Sequence, residues 1–79
     1  MSKIESGPWK GWIWNEAYPG WVRTYLGAKG EWNHVWVTTE GLLKINGVDI
    51  EQYDTPDQAR QAAEGLVRGP VRWADEVDG

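Results

Sequence analysis

The chain has 79 residues, a net charge of −4, no cysteine and one histidine, which limits it to one small domain without disulfides or a cysteine-based zinc site. The negative charge argues against non-specific binding of nucleic acid by the chain as a whole. No apolar run approaches the ~18 residues of a membrane span, and the first residues lack the apolar core of a signal peptide, so we expect a cytoplasmic protein that does not enter a membrane.

Tryptophan is the most unusual component of the sequence. Seven residues are tryptophan, six of them within the first 36 residues, and phenylalanine is absent. An indole combines a large apolar body with one hydrogen-bond donor, so it suits both a core and a contact surface. The division of the indoles between these two environments therefore bears directly on function.

Residues 10–50 contain short runs of strand-forming residues separated by glycine and proline. Pro19-Gly20 and Ala28-Lys29-Gly30 indicate tight turns, and Asn46-Gly47 is typical of a two-residue hairpin leading into 48–50. Short connections join antiparallel neighbours, so the sequence predicts an antiparallel β-meander of three to five strands. The predicted strands before the hairpin are 10–17, 21–26, 32–38 and 42–45.

Side chains alternate between the two faces of a strand, which allows the aromatic residues to be sorted. If no bulge intervenes, most of the early indoles share one face with an arginine and the histidine, opposite a face with Val35, Val37 and Leu43. The candidate binding residues on the aromatic face are Trp12, Trp14, Trp21, Arg23, Trp32, His34 and Trp36.

The second half of the chain predicts one helix over residues 55–68. Thr55 suits the N-cap, Pro56 the first helical position, and Gln58 completes a capping box. Apolar residues recur at helical spacing at 59, 62, 63, 66 and 67, so the helix is expected to pack on one face of the sheet, giving an α+β fold. Residues 71–73 are a candidate further strand, and 1–8 and 75–79 are expected to be flexible termini of this single domain, 1–79.

The stretch from Ile50 to Val67 contains Tyr53-Asp54-Thr55-Pro56-Asp57-Gln58-Ala59-Arg60. It resembles the edge-strand-plus-helix ending of many small phage and bacterial accessory proteins, some of which inhibit host enzymes by binding them. The resemblance implies a small viral or bacterial binding protein and assigns no functional residue.

The sequence does not favour an enzyme. His34 is the single histidine, no second group is tied to it by a recognisable spacing, and no phosphate-binding loop or nucleophile motif occurs. We therefore expect no catalytic residue, no metal and no cofactor.

One helix can cover only one face of the sheet, and the uncovered area predicts a partner. The preferred hypothesis is a non-enzymatic module that binds another protein, or a second copy of itself as a homodimer, through a Trp-rich face. One alternative is stacking of single-stranded nucleic acid or a nucleotide on the indoles, although the charge makes this partner less favoured. In another, the indoles form only the core, and the protein acts through residues 49–79, which contain eight acidic and three basic residues.

The indoles are expected to divide between core and surface. A small helix cannot cover all of them, so at least two near the sheet edge or first strand should remain partly exposed. Trp9, next to Pro8, is expected to lie outside the alternation, and Trp73 to fold back over an open edge or face of the sheet.

Overall fold

The computed structural model describes residues 3–77, and its strands form one antiparallel sheet of six strands. β3 (Trp32–Thr38) occupies one edge of β2 (Gly20–Leu26). β1 (Ile13–Asn15) and β6 (Arg72–Trp73) share the other edge, beside residues 20–22 and 25–26 of β2 respectively. The predicted α+β class, a meander with one helix packed on it, is confirmed. In chain order the elements are β1 (Ile13–Asn15), β2 (Gly20–Leu26), β3 (Trp32–Thr38), β4 (Leu42–Ile45), β5 (Val48–Gln52), α1 (Pro56–Leu66), β6 (Arg72–Trp73) and a short 3-10 helix (Ala74–Glu76).

The turn between β2 and β3 sets the register of the sheet. Gly27 N–H donates to the Glu31 carbonyl at 2.7 Å, and Gly30 takes a positive φ of 83°, so three residues form the loop. A three-residue loop places odd-numbered residues opposite odd-numbered ones, and Trp21 therefore pairs with Val37.

The predicted grouping of all the candidate aromatic residues on one face is wrong for this reason. Directly opposite residues point to the same side of a sheet. Trp14, Trp21 and Arg23 therefore share a side with Val35 and Val37, whereas the Trp32, His34 and Trp36 side chains lie on the opposite side.

The helix begins as its capping residues predict, but it ends at Leu66, before the predicted end at 68. The Thr55 hydroxyl accepts from the Gln58 N–H at 3.2 Å, Pro56 is the first helical residue, and Val67 caps the end. Ala59 and Ala63 are buried, and their small size allows α1 to lie close to β3 and β4.

The core lies between α1 and one side of the sheet. Val35, Val37 and Leu43 form its floor, and Ala59 and Ala63 its roof. Indoles close its margin: Trp12 and Trp73 are buried, while Trp9 and Trp21 are half-buried and pack against it. Bulky indoles thus extend a core that a short alanine-faced helix could not enclose by itself.

Arg60 is a charged residue that does not belong to the predicted apolar stripe of the helix. Its side chain is buried, with the guanidinium carbon 5.5 Å from the centre of the Trp9 ring and Nη1 2.7 Å from Glu64 Oε1. A long side chain can cover an indole with its stem while its charge meets an acid at the surface. Leu66, predicted to belong to the apolar stripe, is instead exposed.

The first strand is shorter than predicted because a turn occupies residues 7–11, where Gly7 and Gly11 both have positive φ. At the other end, residues 72–73 form β6, and Trp73 folds back onto the sheet as predicted. Of the predicted flexible termini, residues 1–2 and 78–79 lie outside the described residues, and flexibility of the remainder stays a prediction. Within residues 3–77, no helix is long and apolar enough to cross a membrane.

Candidate functional site

Four of the seven candidate binding residues lie on the helix side of the sheet. Trp12 is fully buried, and Trp14 packs edge-on against Trp21 at 5.0 Å between ring centres. Trp21 in turn stacks on Trp9 at 4.1 Å, and Trp12 meets Trp73 edge-on at 5.5 Å. These rings form a continuous aromatic network, so their first role is to build the core.

Arg23 is the fourth of these residues, and its contacts are within the protein. Its guanidinium carbon lies 4.1 Å from the centre of the Trp73 ring, and Nε and Nη2 both donate to the Asp75 carboxylate at 3.2–3.3 Å. Lys3 reaches the same carboxylate at 3.5 Å. We call the Arg23–Asp75 pair the clasp, because it holds the segment after β6 against β2.

The clasp borders a cavity of about 620 Å³. Its charged lining is balanced, with Lys3, Lys10 and Arg23 facing Glu5, Asp75 and Glu76. Since Lys3 and Arg23 already bind Asp75, little positive charge is left there for an anionic ligand. The cavity is therefore a weak candidate for a ligand site.

The remaining candidates lie on the side of the sheet opposite α1. We call this surface the open face. It consists of Val22, Thr24, Leu26, Trp32, His34, Trp36 and Lys44, with Tyr18 from the turn before β2. Trp32 is 56% exposed and Tyr18 68% exposed, so large aromatic rings meet solvent here. An exposed aromatic group beside aliphatic neighbours is typical of a contact surface.

Trp36 is the anchored ring of the open face. Its indole lies over Gly20, where a Cβ would overlap Nε1, and Tyr18 meets it edge-on at 6.1 Å. Lys44 Nζ lies 5.1 Å from the ring centre. These contacts restrict the conformational freedom of the Trp36 side chain.

Polar groups beside Trp36 have fixed directions. His34 Nδ1 lies 3.1 Å from the hydroxyl of Thr24, its cross-strand neighbour on the open face. A hydroxyl partner does not activate a histidine as a carboxylate would. His34 therefore suits recognition by hydrogen bonding better than proton transfer.

A groove of about 310 Å³ runs along this surface. Its volume is at the lower end of the range of about 300–1,000 Å³ that is typical of ligand pockets. Tyr18 and Trp36 are the aromatic residues that border the groove. Its full lining comprises Asn15, Tyr18, Val22, Arg23, Thr24, His34, Val35, Trp36 and Gly47.

Sequence reasoning missed Tyr18, Val22 and Lys44. Val22 and Lys44 are cross-strand neighbours of Trp36. A three-residue turn before β3 would have revealed the position of Val22. Tyr18 lies in a turn, where the alternation of side chains along a strand does not predict which side of the sheet a residue faces. Its position follows from Asn15, whose side chain accepts from the N–H groups of Ala17 and Tyr18.

No protein-family model matches this chain, and no curated protein or solved structure is detectably similar to it.

Proposed function

We propose that this protein is a small non-enzymatic binding module that contacts another protein through the open face, as an inhibitor-type accessory protein does. The observation that supports this most is the one-sided packing of the fold. α1 covers the Val35–Val37 side, while Trp32, Tyr18 and the anchored Trp36 remain on the uncovered side. Tryptophan and tyrosine are enriched among residues that dominate protein interface energetics.

The charges of the open face favour a protein partner over a nucleic acid. Stacking of single-stranded bases requires a basic groove beside the rings. Lys44 lies beside Trp36, but its Nζ is 3.4 Å from Asp49 Oδ1, which offsets its charge. An apolar centre with a few polar groups around it is the usual anatomy of a protein interface.

The proposal is tested by comparing variants at exposed rings, whose removal leaves the core intact. Tyr18→Ala and Trp32→Ala each remove a ring from the open face, and Leu66→Ala removes an exposed apolar side chain from the helix as a matched control. A partner recovered from extract with the parent protein is then titrated against each variant by calorimetry. We expect at least one ring variant to weaken binding by about 30-fold and the control to leave it unchanged.

Other results separate the alternatives. Equal binding by all variants would place the partner elsewhere and refute the use of this face. Light scattering that shows a dimer in the parent, lost in Trp32→Ala, would identify the partner as a second copy. Quenching of tryptophan fluorescence by an oligonucleotide, weakening steeply with salt, would support nucleic-acid stacking instead.

A further inference from the structure

The outermost strand of the sheet, β5, has a free edge. β5 is the last strand of the meander, and within residues 3–77 it pairs with β4 alone. All five of its residues, Val48–Gln52, are exposed. An edge strand presents backbone N–H and C=O groups that can pair with another strand.

The composition of β5 does not block such pairing. Val48 is 60% exposed and Ile50 50% exposed, and the strand contains neither proline nor lysine, the residues that commonly protect an edge. A register shift beside Leu43 and Lys44 leaves Ile50 without a partner residue on β4. An apolar side chain is therefore available to a strand that arrives from outside.

The charges along β5 define what can bind there. Asp49 and Glu51 are exposed and lie on opposite sides of the sheet, because Asp49 is opposite Lys44 and Glu51 is opposite Leu43. Asp54 follows the strand. Within residues 3–77, Lys44 pairs with Asp49, whereas Glu51 enters no ion pair. A partner strand with lysine or arginine opposite these acids would form cross-strand pairs of opposite charge.

The same charges argue against a second copy as the occupant. Two paired β5 edges would bring four acids and no base to one pair of strands, so a second copy adds negative charge at the edge without an ion pair. This holds in every register, because β5 contains two acids and no base.

We propose that the β5 edge binds an extended basic segment of a partner protein by strand addition. Main-chain hydrogen bonds would supply the affinity, Asp49 and Glu51 the preference for basic residues, and Ile50 an apolar contact. This surface is separate from Trp32 and Tyr18, so the proposal stands or fails independently of binding by the open face.

The probe is a short blocked peptide with two adjacent lysines flanked by threonine and valine, so that one lysine faces each side of the sheet. It is titrated into the full chain and followed by amide NMR. We expect the largest shifts at the amides of Val48–Gln52, with slower hydrogen exchange there. The same peptide N-methylated at alternate residues keeps its charge but cannot pair along one edge, and it should not bind. A glutamate-for-lysine version should not bind either.

A matched pair of variants separates edge recognition from general attraction. Glu51→Lys reverses a charge on β5, and Glu16→Lys makes the same change in the exposed turn before β2. We expect Glu51→Lys to weaken the lysine peptide by about threefold to tenfold and Glu16→Lys to change it less than twofold. The proposal would be overturned if both variants weakened binding equally, or if the N-methylated peptide bound as well as the parent peptide. It would also be overturned by amide shifts centred on Trp32 and Trp36, or by no binding at millimolar peptide.

Discussion

Removing Asp75 tests whether Arg23 is a structural residue. The sequence suggested Arg23 as a binding residue, whereas the structure places its guanidinium between Trp73 and the Asp75 carboxylate. Asp75→Ala deletes the acid and leaves the arginine in place. The stability of the fold should fall, because a largely desolvated charge loses its partner.

The size of the effect follows from the exposure of the two side chains, 10% for Arg23 and 22% for Asp75. Breaking a fully buried pair by removing one partner costs ~3–5 kcal/mol, whereas a fully exposed pair contributes ~1 kcal/mol or less. The clasp lies between these limits, so we expect a loss of about 2 kcal/mol. A domain of 79 residues has a total stability of about 4–12 kcal/mol, which makes this loss substantial.

The assay is urea denaturation followed by far-ultraviolet circular dichroism. At a slope of about 1 kcal/mol per molar urea, the midpoint should fall by about 2 M for Asp75→Ala. Arg23→Met retains an apolar stem over Trp73 and removes the charge, so the double variant Arg23→Met/Asp75→Ala should recover part of the loss. A double-mutant cycle then gives the coupling energy of the clasp.

Two measurements together would refute a structural role for Arg23. If Asp75→Ala leaves the midpoint unchanged and Arg23→Met weakens partner binding without loss of stability, the clasp does not stabilise the fold. Arg23 would then be a contact residue, as the sequence suggested.

Three further predictions concern single positions. Gly20→Ala should lower stability by ~1–3 kcal/mol in thermal melts, because the added methyl overlaps the Trp36 indole and lies 2.6 Å from the Val37 carbonyl oxygen. Gly65→Ala should raise stability by ~0.5–1 kcal/mol in the same melts, since this helical position is open within 4 Å; a loss would mean that the helix differs there. Trp32→Phe should remove more of the acrylamide-quenchable fluorescence than Trp12→Phe, and equal quenching would contradict the exposure of Trp32.

Much of the fold was predictable because its turns and caps use residues with few conformational choices. Asn46 and Gly47 both take the positive φ values that a two-residue hairpin requires. Thr55 and Pro56 mark the start of the helix for similar local reasons. Local chemistry of this kind can be read from a sequence without knowledge of distant contacts.

The division of the indoles was predictable only in outline. Burial of some rings and exposure of others follows from the small helix, and Trp32 and Trp73 fit that expectation. The side of the sheet on which each β3 side chain lies depends on the number of residues in the loop after Gly27. An error of one residue in that number moves every β3 side chain to the other side. The burial of Arg60 and the clasp were not predictable, because both depend on tertiary contacts with indoles.

The contact between Lys3 and Asp75, 3.5 Å between Nζ and Oδ2, places the two ends of the described chain side by side. These ends lie beside β1 and β6 on one flank of the sheet, whereas β5 is the outermost strand on the other flank. A domain whose ends meet can be inserted into a surface loop of a host protein without stretching either one. In such a fusion the β5 edge would point away from the host. The fold is therefore suited to insertion into another protein with β5 left accessible to solvent.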